Sequence, residues 1–181
     1  MEIYKEFVVF PSDYKKSIAF LSTKDVAKSW TFDVDWKFPL IKAKPKMFLE
    51  SGGDAVTADP ELAENEESEK LIQNLAVSEA NNLLAFATNE KSLFLCKIQE
   101  SSAVILSRRC FLRTSSVMKF STCGKFLFFA DKTGDTFEYS CEDVDKPARW
   151  ILGHISQILD LTIKSDLKWV GIKRRKHLFP G

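Results

Sequence analysis

KFSTCGKFLFFADKTGDTFEYSC, residues Lys119–Cys141, reads as an apolar strand end, a polar turn, an apolar strand, a second polar turn and a third strand. The same pattern occurs upstream, without a gap, in AVSEANNLLAFATNEKSLFLCKI, Ala76–Ile98. Val77, Phe120 and Ile163 take equivalent places 43 residues apart, as do Ser78, Ser121 and Lys164, and the strand starts Leu83, Phe126 and Trp169. A repeat of this length falls in the 40–45 residue range of a propeller blade built from four short strands.

The rest of the chain agrees. Short runs rich in β-branched and aromatic residues recur, among them EFVVF, SIAFLS, SWTFDVDW, AVILS and RWILG. Each is bounded by turn-forming or charged residues and lacks the 3.6-residue period of an amphipathic helix. Phenylalanine is frequent at 15 residues and glycine scarce at 7. These features predict a nearly all-β chain, a WD40-type propeller. One stretch differs: residues 42–70 mix proline, glycine and acidic residues with few aromatics, and are expected to form a mobile acidic loop or insertion.

LGHISQILDLTIKSD, Leu152–Asp166, carries a second repeat signal. Gly153 and His154 open a WD-type unit, and Asp160 follows on its inner strand. On this reading His154 is structural and bonds within its blade rather than to a metal. Gly134, with Asp131 and Asp135, serves the turn backbone, since Asp and Gly favour turns for conformational reasons.

Bulk properties narrow the function. With 181 residues and 45% hydrophobic composition, the chain suffices for one ordinary core. Lys and Arg number 26 against 25 Asp and Glu, so no strong overall field draws nucleic acid or membrane. The four cysteines, Cys96, Cys110, Cys123 and Cys141, form no CxxC pair, and only two histidines occur, which argues against a zinc site or a disulfide framework. MEIYKEFVVF is not a secretory signal, and no apolar run reaches membrane-spanning length. A reduced compartment, nucleus or cytosol, is expected. No phosphate-cradling glycine loop, GxSxG elbow or acid–base cluster is present, so no catalytic residue is assigned and no cofactor is expected.

SRRC at Ser107–Cys110, ADKTGD at Ala130–Asp135 and LGHISQILDLTIKSD occur in that order. Together they resemble the WD-repeat, non-catalytic subunit of the eukaryotic tRNA (guanine-N7-)-methyltransferase, the wuho family. The resemblance runs from about Leu75 to Val170, and over the first 70 residues only the β pattern carries it. It implies a seven-bladed propeller that forms a heterodimer with a catalytic subunit. That partner binds S-adenosylmethionine, and the pair methylates N7 of a guanine in the tRNA variable loop. The resemblance places the lysine of the ADK turn, Lys132, at the partner interface, with Arg108 and Arg109 at a nearby loop position. The alternative is a generic WD scaffold, an adaptor in a ubiquitin-ligase or chromatin complex. An enzyme in its own right would need a buried acid–base or metal set, and none is supplied.

The sequence also departs from that family. A chain of 181 residues holds three to four blades, so the expectation is a C-terminally truncated propeller over residues 1–170. By the 43-residue register the equivalent of Asp131 is Arg174, within GIKRRKHLFPG, so residues 171–181 are expected to be a basic tail foreign to the family. KRRK, Lys173–Lys176, resembles a nuclear-import patch and places the protein in the nucleus, with the cytoplasm as the alternative. Uncovered blade faces predict a chain that is unstable alone.

Overall fold

A computed structural model of the chain describes residues 1–12, 15–39, 69–111 and 113–163, and the backbone of 170–174. The expected acidic loop, 42–70, lies outside these residues except for Glu69 and Lys70.

The chain folds into antiparallel sheets taken in sequence order. The first holds β1 (Glu2–Tyr4), β2 (Phe7–Ser12), β3 (Ser17–Ser22) and β4 (Trp30–Asp33), each hydrogen-bonded to the next. The second holds β5 (Ile72–Ser78), β6 (Leu83–Thr88), β7 (Ser92–Ile98) and β8 (Ala103–Cys110). The third holds β9 (Ser115–Phe120), β10 (Phe126–Asp131), β11 (Thr136–Ser140) and β12 (Arg149–Leu152). A two-stranded sheet of β13 (Ile158–Ile163) and β14 (Val170–Arg174) follows. A 3-10 turn, Val26–Lys28, lies between β3 and β4. Among the described residues no helix is long and apolar enough to cross a membrane.

The first strands β5, β9 and β13 begin at Ile72, Ser115 and Ile158, so the 43-residue offset of the sequence is the offset of the sheets. These strands lie side by side, β1 against β5, β5 against β9 and β9 against β13. The sheets are therefore successive blades of a WD40-type propeller, three complete and a fourth begun. β14 pairs antiparallel with β13 from Val170↔Ile163 to Arg174↔Ile158. The ladder crosses the boundary expected at 170/171 and takes Gly171–Arg174 into the sheet, because strand pairing uses backbone groups that every non-proline residue carries.

Blade packing explains the continuous apolar runs. All six residues of β6, LLAFAT, are buried. Successive side chains point to opposite faces of a strand. Leu84 and Phe86 accordingly join Val9, Ile18 and Phe20 of the first blade in one core. Leu83, Ala85 and Ala87 join Met118, Phe120, Leu127 and Phe129 of the third blade in another. The third blade repeats this: Phe128 and Ala130 meet Ile158 and Leu161 of the fourth. Each buried aromatic or aliphatic side chain contributes about 1.5–3 kcal/mol. Stacked rings, Phe86 on Phe94 at 4.7 Å and Phe20 on Trp30 at 3.8 Å, add shape to that burial. The outward face of the first blade is less covered, with Ile3 69% and Leu21 43% exposed and Val8 paired to both.

Candidate functional site

The turn joining β10 to β11 is built around one carboxylate. Asp131 is buried, and its Oδ1 accepts the backbone N–H groups of Thr133, Gly134 and Asp135 at 2.8, 2.9 and 3.0 Å and the Thr133 hydroxyl at 2.7 Å. A carboxylate mimics the acceptors that a turn leaves out, which is why Asp suits this position. The second blade makes the same turn more weakly. Thr88, 43 residues earlier, accepts the Ser92 N–H through Oγ1 at 3.3 Å. The backbone bond from Gly134 N–H to Asp131 O, 3.3 Å, has its counterpart in Lys91 N–H to Thr88 O, 3.2 Å.

Gly134 holds a left-handed backbone, φ +105°. A Cβ there would lie 2.3 Å from the His154 carbonyl oxygen and 2.6 Å from that of Ser156. The loop opened by Gly153 and His154 therefore lies directly on the turn, and the His154 N–H donates to Gly134 O at 3.0 Å. The His154 ring serves its own loop, with Nδ1 accepting the Ser156 N–H at 3.1 Å. Gly153 leaves room for its neighbours, since a Cβ would come within 3.0 Å of Asp135 Oδ1 and 3.1 Å of the Trp150 ring. Asp160 sits half-exposed on the inner strand β13, 3.9 Å from Lys119 Nζ on β9. A surface pair of this kind contributes at most about 1 kcal/mol.

Lys132 stands exposed at the tip of the turn. Its backbone N–H donates to Thr114 O at 3.2 Å, which ties the turn to the preceding loop. Among the described residues its ammonium group makes no ion pair, whereas the neighbouring cations do. Lys119 faces Asp160, Lys125 faces Glu142, Lys146 faces Asp143 and Arg149 faces Glu138. Arg113, which the sequence reading did not single out, donates to the Thr133 hydroxyl at 2.8 Å and lies 3.4 and 3.6 Å from Asp135 and Asp131. It is shared between the turn's two carboxylates, and among the described residues neither of them pairs with Lys132. The repeat held the signal for it: Lys70 pairs with Glu90 at 3.6 Å, and both stand 43 residues before Arg113 and Thr133.

Arg108 and Arg109 require a correction. They lie on strand β8, not in a loop, and each is only 5% exposed. As neighbours on a strand they point to opposite faces. Arg108 donates to the carbonyl oxygens of Trp36 and Phe38 at 3.0 and 3.3 Å and stacks over Phe94, on the side of the first blade. Arg109 reaches the third blade, where its Nε donates to the Tyr139 hydroxyl at 3.3 Å, its Nη2 donates to Val144 O, and its guanidinium lies over the Tyr139 ring. Tyr139 in turn donates to Val144 O at 3.1 Å, and Ser107 Oγ lies 3.1 Å from the same phenol. Both charges are engaged in holding blades together.

Other reactive groups do not converge. No set of three or more His, Cys, Asp or Glu side chains able to hold a metal occurs among the described residues. The four thiols are unpaired, and burial pushes those of Cys96 and Cys141 up, the latter to about 12. Cys123 is exposed, and the hydrogen bond with Ser121 holds its thiol below the usual range.

Repeating four-stranded blades define the class: a WD40-type propeller segment, with an exposed lysine on a braced turn. No family model matches the chain. It is 36% identical over 190 residues to the tRNA (guanine-N(7)-)-methyltransferase non-catalytic subunit wuho of Aedes aegypti, a match covering 94% of this chain and 44% of that protein. The protein of the same name from Culex quinquefasciatus is 30% identical over 178 residues, covering 87% and 44%. That of Drosophila melanogaster is 36% identical over 97 residues, covering 52% and 23%. Over most of its own length the chain is similar to the wuho non-catalytic subunits, and it spans less than half the length of the relatives it matches.

Proposed function

We propose that the chain is an accessory subunit that binds and stabilises the catalytic subunit of a tRNA (guanine-N7-)-methyltransferase as a heterodimer. Together they would form N7-methylguanosine in the tRNA variable loop, with S-adenosylmethionine held by the partner and tRNA reached through the complex. The relatives' printed name supports the non-catalytic role. The observation that carries the contact is Lys132: an exposed ammonium on a turn fixed by Asp131, with Arg113 already matched to the nearby carboxylates. A pre-positioned, unmatched charge is suited to an acidic patch on a partner, where it steers association and fixes register. The nucleus is the proposed location, on the strength of KRRK at Lys173–Lys176, with the cytoplasm as the alternative.

Co-expression with the catalytic subunit, followed by capture through a tag on the chain, tests this. Recovery of the partner by wild type and its loss with Lys132→Glu is the expected result. Equal recovery by both removes Lys132 from the interface.

A further inference from the structure

The turn that carries Lys132 is flanked by apolar side chains that the chain leaves uncovered. Ile155 is 97% exposed and stands between His154 and Ser156, whose carbonyl groups lie against Gly134. Trp150 is 57% exposed although its indole N–H is fixed on Asp135 Oδ1 at 3.1 Å. Leu152, paired with Thr136 at the start of β11, is also partly uncovered. A lone exposed apolar residue is ordinary. An aromatic side chain held on Asp135 and an aliphatic one beside Gly134, on the turn that also carries a lysine unpaired among the described residues, have the composition of an interface anchor with its polar rim.

We infer that Trp150 and Ile155 form, with Lys132, a two-part docking surface for a protein that presents a carboxylate next to an apolar pocket or side chain. This rests on the reading that a catalytic subunit docks at the turn, and it assigns the chemistry of the surface that subunit presents. Charge decides for protein over RNA. Asp135 holds the indole edge, Asp131 lies behind the turn, and Glu138 stands one ladder position away opposite Arg149. Arg113 is matched to Asp131 and Asp135 and Arg149 to Glu138, so among the described residues Lys132 stands as an isolated cation, whereas a phosphate backbone needs a cationic track. The Asp135 bond also fixes the indole before binding, so less side-chain freedom is lost on association.

The full chain, co-expressed with the catalytic subunit of its own organism, is captured and titrated at several salt concentrations. Ile155→Asp is expected to weaken binding about tenfold or more, and the neutral Ile155→Ala to weaken it with the salt dependence unchanged. Lys132→Ala is expected to weaken it less and to flatten the salt dependence. Ile155 touches solvent on nearly all sides, so its variants should melt with wild type; Ile155→Ala decides if the aspartate variant does not. Wild-type binding by Ile155→Asp alongside loss with Lys132→Glu overturns this inference and leaves the proposed function standing. Wild-type binding by both variants, or no capture by the wild-type chain, overturns both. Retention of tRNA instead of the catalytic subunit, lost in Ile155→Asp, also overturns the inference.

Discussion

The carbonyl oxygen of Gly134 accepts the N–H of His154 at 3.0 Å, and a methyl group on Gly134 would stand 2.3 Å from the carbonyl oxygen of His154. The third blade's turn and the entry to the fourth thus meet backbone to backbone. Gly134→Ala must move two carbonyl groups and hold alanine at a left-handed φ. A loss of about 2–4 kcal/mol in stability is expected, read as the shift of the urea midpoint. A cost below about 0.5 kcal/mol would mean that the two segments do not meet this way.

The repeat supplies the converse substitution. Lys91 occupies the place of Gly134 one blade earlier and holds φ +62°. Lys91→Gly relieves that conformation and should change stability favourably, by up to about 1 kcal/mol. Destabilisation by the same substitution would contradict the equivalence of the two turns.

Asp131 supports three N–H groups and one hydroxyl from a buried position. Asp131→Ala leaves those donors without their acceptor and should cost about 2–3 kcal/mol, while Asp131→Asn keeps one oxygen and costs less. Thr88→Ala removes longer bonds to Ser92, 3.3 and 3.4 Å, and should cost roughly 1 kcal/mol. Comparing the thermal melts of the three variants checks the order.

The fold was legible in the sequence to the extent that it repeats. The offset read from Val77, Phe120 and Ile163 is the offset of the strands, because each blade meets its neighbours through the same positions. Arg113 was missed because the reading looked within the ADKTGD motif. The motif's brace lies in the loop before β9 and reaches it only through the fold, although the Lys70–Glu90 pair repeats it. Arg108 and Arg109 misled for a different reason. Charged neighbours usually mark a surface, but here backbone carbonyls and aromatic rings supply the partners, and these leave no trace in a motif. Trp150 and Ile155 looked like ordinary strand and loop residues, and their exposure became visible only with the blades in place.

Arg109 and Tyr139 should behave as one unit between the second and third blades. Arg109→Met and Tyr139→Phe each remove part of the same hydrogen-bonded set around Val144. Each should cost about 1–3 kcal/mol, and the double variant should cost less than their sum by 0.5 kcal/mol or more. Additive losses in a urea-denaturation cycle would show that the groups act independently.

Thiol chemistry offers a test of blade packing. Cys123 is exposed, with Ser121 and then the backbone at Lys125 stabilising its thiolate. Its labelling by iodoacetamide should rise with pH and level off below the pH that a free cysteine requires. Cys141, pushed up to about 12 by burial, and Cys96, fully buried, should label slowly until urea opens the blades. Mass spectrometry of partly labelled chain reads the order, and early modification of Cys96 would contradict the described core.

The central claim is that this propeller segment offers Lys132 to a catalytic partner. Its most direct test is the affinity of the wild-type chain and of Lys132→Glu for the catalytic methyltransferase subunit, measured by titration at low and at physiological ionic strength. The account predicts binding by wild type that weakens with salt, and loss of about tenfold or more on charge reversal. Equal affinities for both chains, with no dependence on salt, would contradict it.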